Sequence, residues 1–394
     1  MTVGDGRQIF PPSITGKGAV HTGSVLEHAF GTGDPYTLGV EEEYQLLDGE
    51  SLDLVQHIET MLDAVSGHEL EERINPELMQ SVIEITTPVC RTPADVMREL
   101  VKLRSYVTEI AHGKDMRVGS AGTHPFSLFE RQRITAKDRY RALIDQMQYI
   151  ARRELIFGMH VHVAVDDPEK AVKVVNGLLP HIALLLALSA SSPFTENVFT
   201  HLHSVRTEIF TKLFPRCGIP DAYGSWAEFE AYVRFLYRTG SIDEHTQMWW
   251  SIRPHLAFPT VEIRICDSQP DLGEARSLSA LAYALAVRTA RALDEGEPLP
   301  LPTHRLVEEN FWRAIRWGLG GDFIDLETGE LVNKRKRIEQ LIEWVQPVAE
   351  EIGAAPFLAV PAANAAERQI ARYEQGATLE EIYSEQVRPK EPVV

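Results

Sequence analysis

Glu41 and Glu43, His160 and His162, and Glu262 and Arg264 form three pairs of chemically potent side chains, each pair separated by one residue. On an extended chain that spacing puts both members of a pair on one face. Carboxylates placed this way repel each other and need water, a basic partner or a metal cation nearby. Hard divalent cations such as Mg2+ or Mn2+ prefer carboxylate oxygens, and Mn2+ also accepts an imidazole. Zinc is the rival, because two histidines spaced as in His-Val-His suit many zinc sites, but the carboxylates exceed what a tetrahedral site holds. Several hard cations clamping a polyphosphate fit the count better. Arg264 then acts as a bidentate donor to phosphate oxygens, with a plain salt bridge to Glu262 as the simpler alternative.

The elements that carry these residues follow from period-two alternation. In GVEEEYQLL, Glu41, Glu43 and Gln45 share a face with Gly39, while Leu38, Val40, Tyr44 and Leu46 line the other and Glu42 is the one charge among them. LIFGMHVHVAV sets Gly158, His160, His162 and Ala164 against an apolar face, and TVEIRICD sets Thr260, Glu262, Arg264 and Cys266 against Val261, Ile263 and Ile265. MQSVIEITTP places Gln80, Glu84 and Thr86, with Val82, opposite Met79, Ile83 and Ile85, and Pro88 ends it. Residues 116–123 and 246–254 are weaker strands, the second reading as half of a hairpin. Helical spacing predicts a helix capped by Thr92 and Pro93, a stretch over 168–191 broken at Pro180, and helices over 273–295, 305–317, 334–352 and 363–383. This order predicts an α+β fold with an antiparallel or mixed sheet, helices on its apolar face and the Glu/His/Arg set on the other. A merely solvated face is the plain alternative. Such faces usually draw on Lys, Ser, Thr and mixed charge, whereas these four strands repeat Glu and His.

A chain of 394 residues with a net charge of −18 argues against a non-specific partner among nucleic acids or anionic membranes. Three scattered cysteines, Cys90, Cys217 and Cys266, suggest neither a disulfide framework nor a thiolate zinc site, which fits a reducing, cytoplasmic setting. A buried inert thiol is the favoured reading of Cys266. The apolar run over 177–190 is too short for a membrane span and reads as a buried helix. No Walker A sequence, GxGxxG fingerprint or GxSxG elbow is present. Residues 1–34 read as a flexible extension and 35–394 as one domain, with homo-oligomerisation left open.

The blocks LGVEEEYQLLD, NPELMQSVIEITTPV, GTHPF, GMHVHV, ALSASSPF, FPRCGIP, WWSIRPH and VEIRICDSQP occur in the order found in type 2 glutamate-cysteine ligase-like proteins, the carboxylate-amine ligases. The chain resembles that family from about Tyr36 to the C-terminal helices. The resemblance implies a curved, mainly antiparallel sheet of about six strands forming a funnel, related to glutamine synthetase. It also implies that ATP phosphorylates a carboxylate, by default the γ-carboxylate of glutamate, and that an amine displaces phosphate from the acyl phosphate. Mg2+ or Mn2+ is expected, with Glu41, Glu43, Glu77, Glu84, His160 and Glu262 as ligands. Arg264 matches an arginine facing the nucleotide phosphates, and Glu262 and Arg264 are the catalytic candidates. Arg206 and Arg253 are further carboxylate or phosphate binders, with surface salt bridges as the alternative, and His162 is a supporting or substrate contact. Residues 197–210, NVFTHLHSVRTEIF, depart from the family's pattern, which argues for an amine other than cysteine and only weak glutamate-cysteine ligase activity. The other readings kept open are a phosphotransferase to a guanidino or amine acceptor and a nucleotide- or metal-binding regulator without turnover.

Overall fold

The computed structural model of the chain describes residues 26–387. Seven strands form the main sheet: β1 (Leu38–Asp48), β2 (Ile74–Pro76), β3 (Val82–Thr86), β4 (Met116–Gly119), β5 (Gly158–Ala164), β6 (Ile252–His255) and β7 (Thr260–Asp267). Their order is β2-β3-β1-β5-β7-β6, β4 pairs with the C-terminal end of β1, and all pairings are antiparallel. The register brings the polar residues into rows. Glu43 faces Glu84, Glu41 lies between Thr86 and His160, and His162 faces Glu262, which in turn faces Arg253.

Eight helices matter here: α1 (Pro93–His112), α2 (Asp138–Met147), α3 (Pro168–Leu178), α4 (Ile182–Ser189), α5 (Val205–Leu213), α6 (Leu272–Asp294), α7 (His304–Trp317) and α8 (Lys334–Glu351). The apolar face of the sheet, with Val40, Tyr44, Met159, Val161, Val163, Val261 and Ile263, belongs to one large core that also holds residues of α1, α3, α4 and α6. Burial of this continuous apolar surface is the main force holding helices to sheet. Glu42, the lone charge on that face, is buried against Arg104 of α1, whose Nε donates to it at 2.7 Å. Tyr44 also donates to Glu42. Such a pair needs its full set of hydrogen bonds, because either ion alone would be costly to bury.

The Thr92 cap appears as expected, with a reciprocal hydrogen bond between Thr92 and Asp95 and Pro93 in the first turn. The stretch over 168–191 breaks at a 3-10 turn, Leu179–His181, where Pro180 removes a helical donor. Pro168–Ser189 is apolar and long enough to cross a bilayer by composition, and it lies mostly buried inside the fold. Three expectations need correction. The helix predicted over 363–383 is two, Ala365–Glu374 and Leu379–Ser384, separated at Gly376, whose φ of +90° ends the first before Thr378 caps the second. The extension expected through residue 34 is packed from Leu26 onward. Leu26 donates to Glu230, Ala29 to the Leu256 carbonyl, and Phe30 is buried; residues 1–25 lie outside the described residues. Cys266 is not on the polar face. β7 carries a bulge, so Val161 faces Ile263 but Met159 faces Cys266, and the extra residue turns the thiol into the core. Burial pushes that thiol up to about 12.

Candidate active site

The polar face of the sheet floors a cleft of about 420 Å³. Its lining includes Glu41, Glu43, Glu77, Glu84, His160, Glu262, Arg253 and Arg264, so all but one of the residues expected from the sequence meet in one place. The exception is Arg206. Its guanidinium lies beneath β7, donating to the carbonyls of Ile265 and Arg264 at 3.2 and 3.4 Å, with Asp267 3.6 Å away. It is buried and does not line the cleft, because the N-terminus of α5 is tied to the sheet through Asp267. That carboxylate accepts from the Ser191 backbone at 2.9 Å, the Ser192 hydroxyl at 2.7 Å and the Ser204 hydroxyl at 2.9 Å.

The two ends of the cleft differ electrostatically. At one end, Glu262 accepts from Arg253 Nε at 2.6 Å and from Arg264. Burial opposes its ionisation, but Arg253 and Arg264 outweigh that and hold it well below the usual carboxylate range. Glu41 behaves similarly. Burial would raise it, yet the neighbouring charge of His162 and the hydrogen bond with His160 keep it low. At the other end cations are fewer. Glu77 is pushed up to about 7 by burial and by the charge of Glu43, and Glu84 is raised well above its ordinary value by burial and by Glu41, Glu77 and Glu43. Glu43 and Glu84 sit directly opposite each other on neighbouring strands, an arrangement of like charges that costs stability unless something neutralises it. Among the described residues the Gly158 amide donates to the Glu43 carboxylate at 2.5 Å.

Side-chain donors suited to a metal converge at Glu41, His162 and Glu262, whose ligand atoms lie within 4.8 Å of one another. The His162 Nδ1 is 3.0 Å from the Thr260 hydroxyl. Its Nε2 is buried without a hydrogen-bond partner, 3.3 Å from Glu41 and 3.9 Å from Glu262. An orphaned imidazole nitrogen flanked by two carboxylates suits a divalent cation, and the carboxylate-rich remainder suits further hard cations rather than a closed tetrahedral zinc site. The family resemblance implies His160 as a ligand, and its place on the same face makes His162 a supporting or substrate contact. In the fold, His160 sits against Glu41 at 3.2 Å while His162 completes the triad.

Several lining residues escape sequence reasoning: Asn75, Lys137, Arg139, Tyr140, Leu143, Glu154, Trp249 and His255. Apart from Asn75 and His255, they come from α2 and the loops beside it, and from the segments entering β5 and β6, where no alternation marks them. Glu154 is pushed up to about 8 by burial and by Glu77 and Glu43. A second, more apolar cavity of about 600 Å³ shares Glu41 and His162 with the first and is lined by Ala164, Phe258, Pro259, Arg73 and Arg91.

An antiparallel sheet whose open face gathers Glu, His and Arg over a cleft, backed by helices, fits the class of carboxylate-amine ligases. The chain belongs to the glutamate-cysteine ligase family 2 (GCS2), whose profile matches residues 37–384. A relative from Herpetosiphon aurantiacus, provisionally named glutamate-cysteine ligase 2, is 38% identical over 90% of this chain and 93% of its own length. One from Solibacter usitatus with the same provisional name is 39% identical over 88% of this chain and 91% of its own. Among solved structures, the glutamate-cysteine ligase of Francisella tularensis in complex with AMP superposes with a TM-score of 0.65 over 90% of this chain and 88% of that one, at 14% identity. A bifunctional glutathione synthetase from Pasteurella multocida gives 0.62 over 89% of this chain and 52% of the longer one, at 15% identity. These two likenesses concern the fold.

Proposed function

We propose that the cleft joins the γ-carboxylate of glutamate to an amine through an acyl phosphate formed from ATP. The observation that carries this reading is the meeting of Glu41, His162 and Glu262 at one end of a face whose other end holds Glu43, Glu77 and Glu84. Glu41, His162 and Glu262 would hold one Mg2+ or Mn2+, and Glu43, Glu77 and Glu84 others. Bound there, the cations supply positive charge that neutralises phosphate oxygens.

The protein's own groups do the positioning. Arg253 and Glu262 fix each other, and Arg264 is held by Glu262 at one nitrogen, leaving its planar edge for a phosphate. The apolar second cavity suits a nucleoside, because it opens onto Glu41 and His162, where its phosphates would meet the triad. Carboxylate and amine then occupy the Glu43, Glu77 and Glu84 end. No protein nucleophile is needed, and placing the reactants in line supplies most of the acceleration. The AMP bound in the Francisella tularensis relative favours an adenine nucleotide.

The test is product analysis with ATP, Mn2+, glutamate and a panel of amines. The expected result is an amide, with ADP and phosphate released in equal amounts and only when acid and amine are both present. A phosphorylated amine or guanidino product would replace this reading with phosphotransfer.

A further inference from the structure

We infer that Glu154 receives the ammonium group of the acceptor and takes the proton it must lose before the nitrogen attacks the acyl phosphate, and that Trp249, which lines the same cleft, selects a primary amine with an apolar or aromatic body. The inference rests on the ligase reading above and names the acceptor's side of that site. Other carboxylates of the sheet face already have protein partners: Glu41 has His160, Glu43 the Gly158 amide and Glu262 two arginines. Glu77 accepts from the Leu78 amide. Glu84 has no such donor among the described residues, but it faces Glu43 across the strands within the proposed cation set. Glu154 stands apart from that set. It enters the cleft from the turn before β5, and among the described residues its carboxylate has no hydrogen-bond or ion-pair partner. A partly desolvated carboxylate without a donor is costly unless a ligand supplies one.

Its place is at the acid end. Glu154 lies near enough to feel the charges of Glu77 and Glu43, beside the carboxylates that would flank the reacting acyl group. The wall next to it is built to be stiff and apolar. Trp249 meets Phe214 edge-on at 6.2 Å, and Arg216 lies over its ring at 5.6 Å. Behind stand Ile156, Phe210 and Phe214, with Met147, Ile150, Cys217 and Trp249 packed against them. A small polar thiol side chain gains little from this wall, whereas a branched or aromatic body buries apolar area there.

The experiment compares wild-type protein with Glu154→Gln, using ATP, Mn2+ and glutamate, with isobutylamine or benzylamine as charged acceptors and hydroxylamine as one that is uncharged at neutral pH. Removing the carboxylate should raise the KM of the charged amines at least about tenfold and lower the hydroxylamine reaction by less than about threefold, since only the former present an ammonium. The glutamate KM should stay within about twofold, and Glu154→Asp should fall between wild type and Glu154→Gln for the charged amines. Thermal melts confirm that both variants fold. A raised glutamate KM with unchanged amine KM would assign Glu154 to the α-ammonium of the acid and overturn the inference. So would equal losses for charged and uncharged acceptors, or no loss at all. Wild type that releases no ADP with any acceptor would overturn the ligase reading itself, and the inference with it.

Discussion

Arg264 is bound on one side and free on the other. One terminal nitrogen donates to Glu262, while its Nε is buried with no acceptor. A donor left this way is costly, and a phosphate oxygen would satisfy it. Lysine keeps the charge but loses the planar fork. Arg264→Lys should therefore lose roughly ten- to hundredfold in kcat/KM for ATP, with the melting temperature little changed. Unchanged ATP KM and kcat would reduce Arg264 to its ion pair with Glu262. At this scale the sequence was informative wherever alternation marks a face: Glu41, Glu43, Glu84, both histidines, Glu262 and Arg264 all reach the cleft. Spacing treats His160 and His162 alike, and it is the register that sets His162 against Glu262 and His160 against Glu41. Glu154 was not legible because it lies in a turn without a pattern of its own, and Glu77, beside β2, entered only through the family resemblance.

The strands were legible because each has one polar and one apolar face; α5 was not, because VRTEIFTKL lacks a continuous apolar stripe and buries Arg206 and Thr207. What α5 does can be read only from its contacts. It carries Arg206 under β7 against Gly158, the first residue of β5, while Asp267 and three donors lock that arrangement. A side chain at residue 158 would collide with the Arg206 guanidinium and come within 3.1 Å of His160. The same glycine donates its amide to Glu43, so β5 cannot retreat without moving two of the cleft's carboxylate contacts. Gly158→Ala should therefore fold, melt a few degrees lower, and lose about tenfold or more in kcat, because strain in a packed site costs roughly 1–3 kcal/mol. Wild-type kcat/KM in this variant would mean that the contact between α5 and β5 is slack.

For the whole molecule, the acid end of the cleft links stability to pH and to cations. Glu77 and Glu154, at about 7 and 8, and Glu84, higher than its ordinary value, all have folded-state values above those of the unfolded chain. Between pH 5 and 8 the unfolded chain has released these protons while the folded protein still holds part of them. Stability from these groups is therefore fully present below their unfolded values and is lost as pH rises through their folded ones. Glu41 and Glu262 have lowered values and act in the opposite sense; their stabilisation is fully present above the ordinary carboxylate value of 4.5 and adds little slope in this window. In chelator-treated protein these three groups should pull the melting temperature down from pH 5.5 to 8.5, against a rise from buried His124, His181, His203 and His255, whose values burial lowers, because each tenfold difference in proton affinity between folded and unfolded chain is worth about 1.4 kcal/mol. Mn2+ or Mg2+ should restore more at pH 8.5 than at pH 5.5, since a cation must compete with protons for the same oxygens. Glu84→Gln should flatten the fall in metal-free protein by removing one of the three titrating groups. A metal-free pH profile that Glu84→Gln leaves unchanged, or a cation effect equal at both pH values, would mean that the carboxylates are not electrostatically coupled as their burial and spacing require.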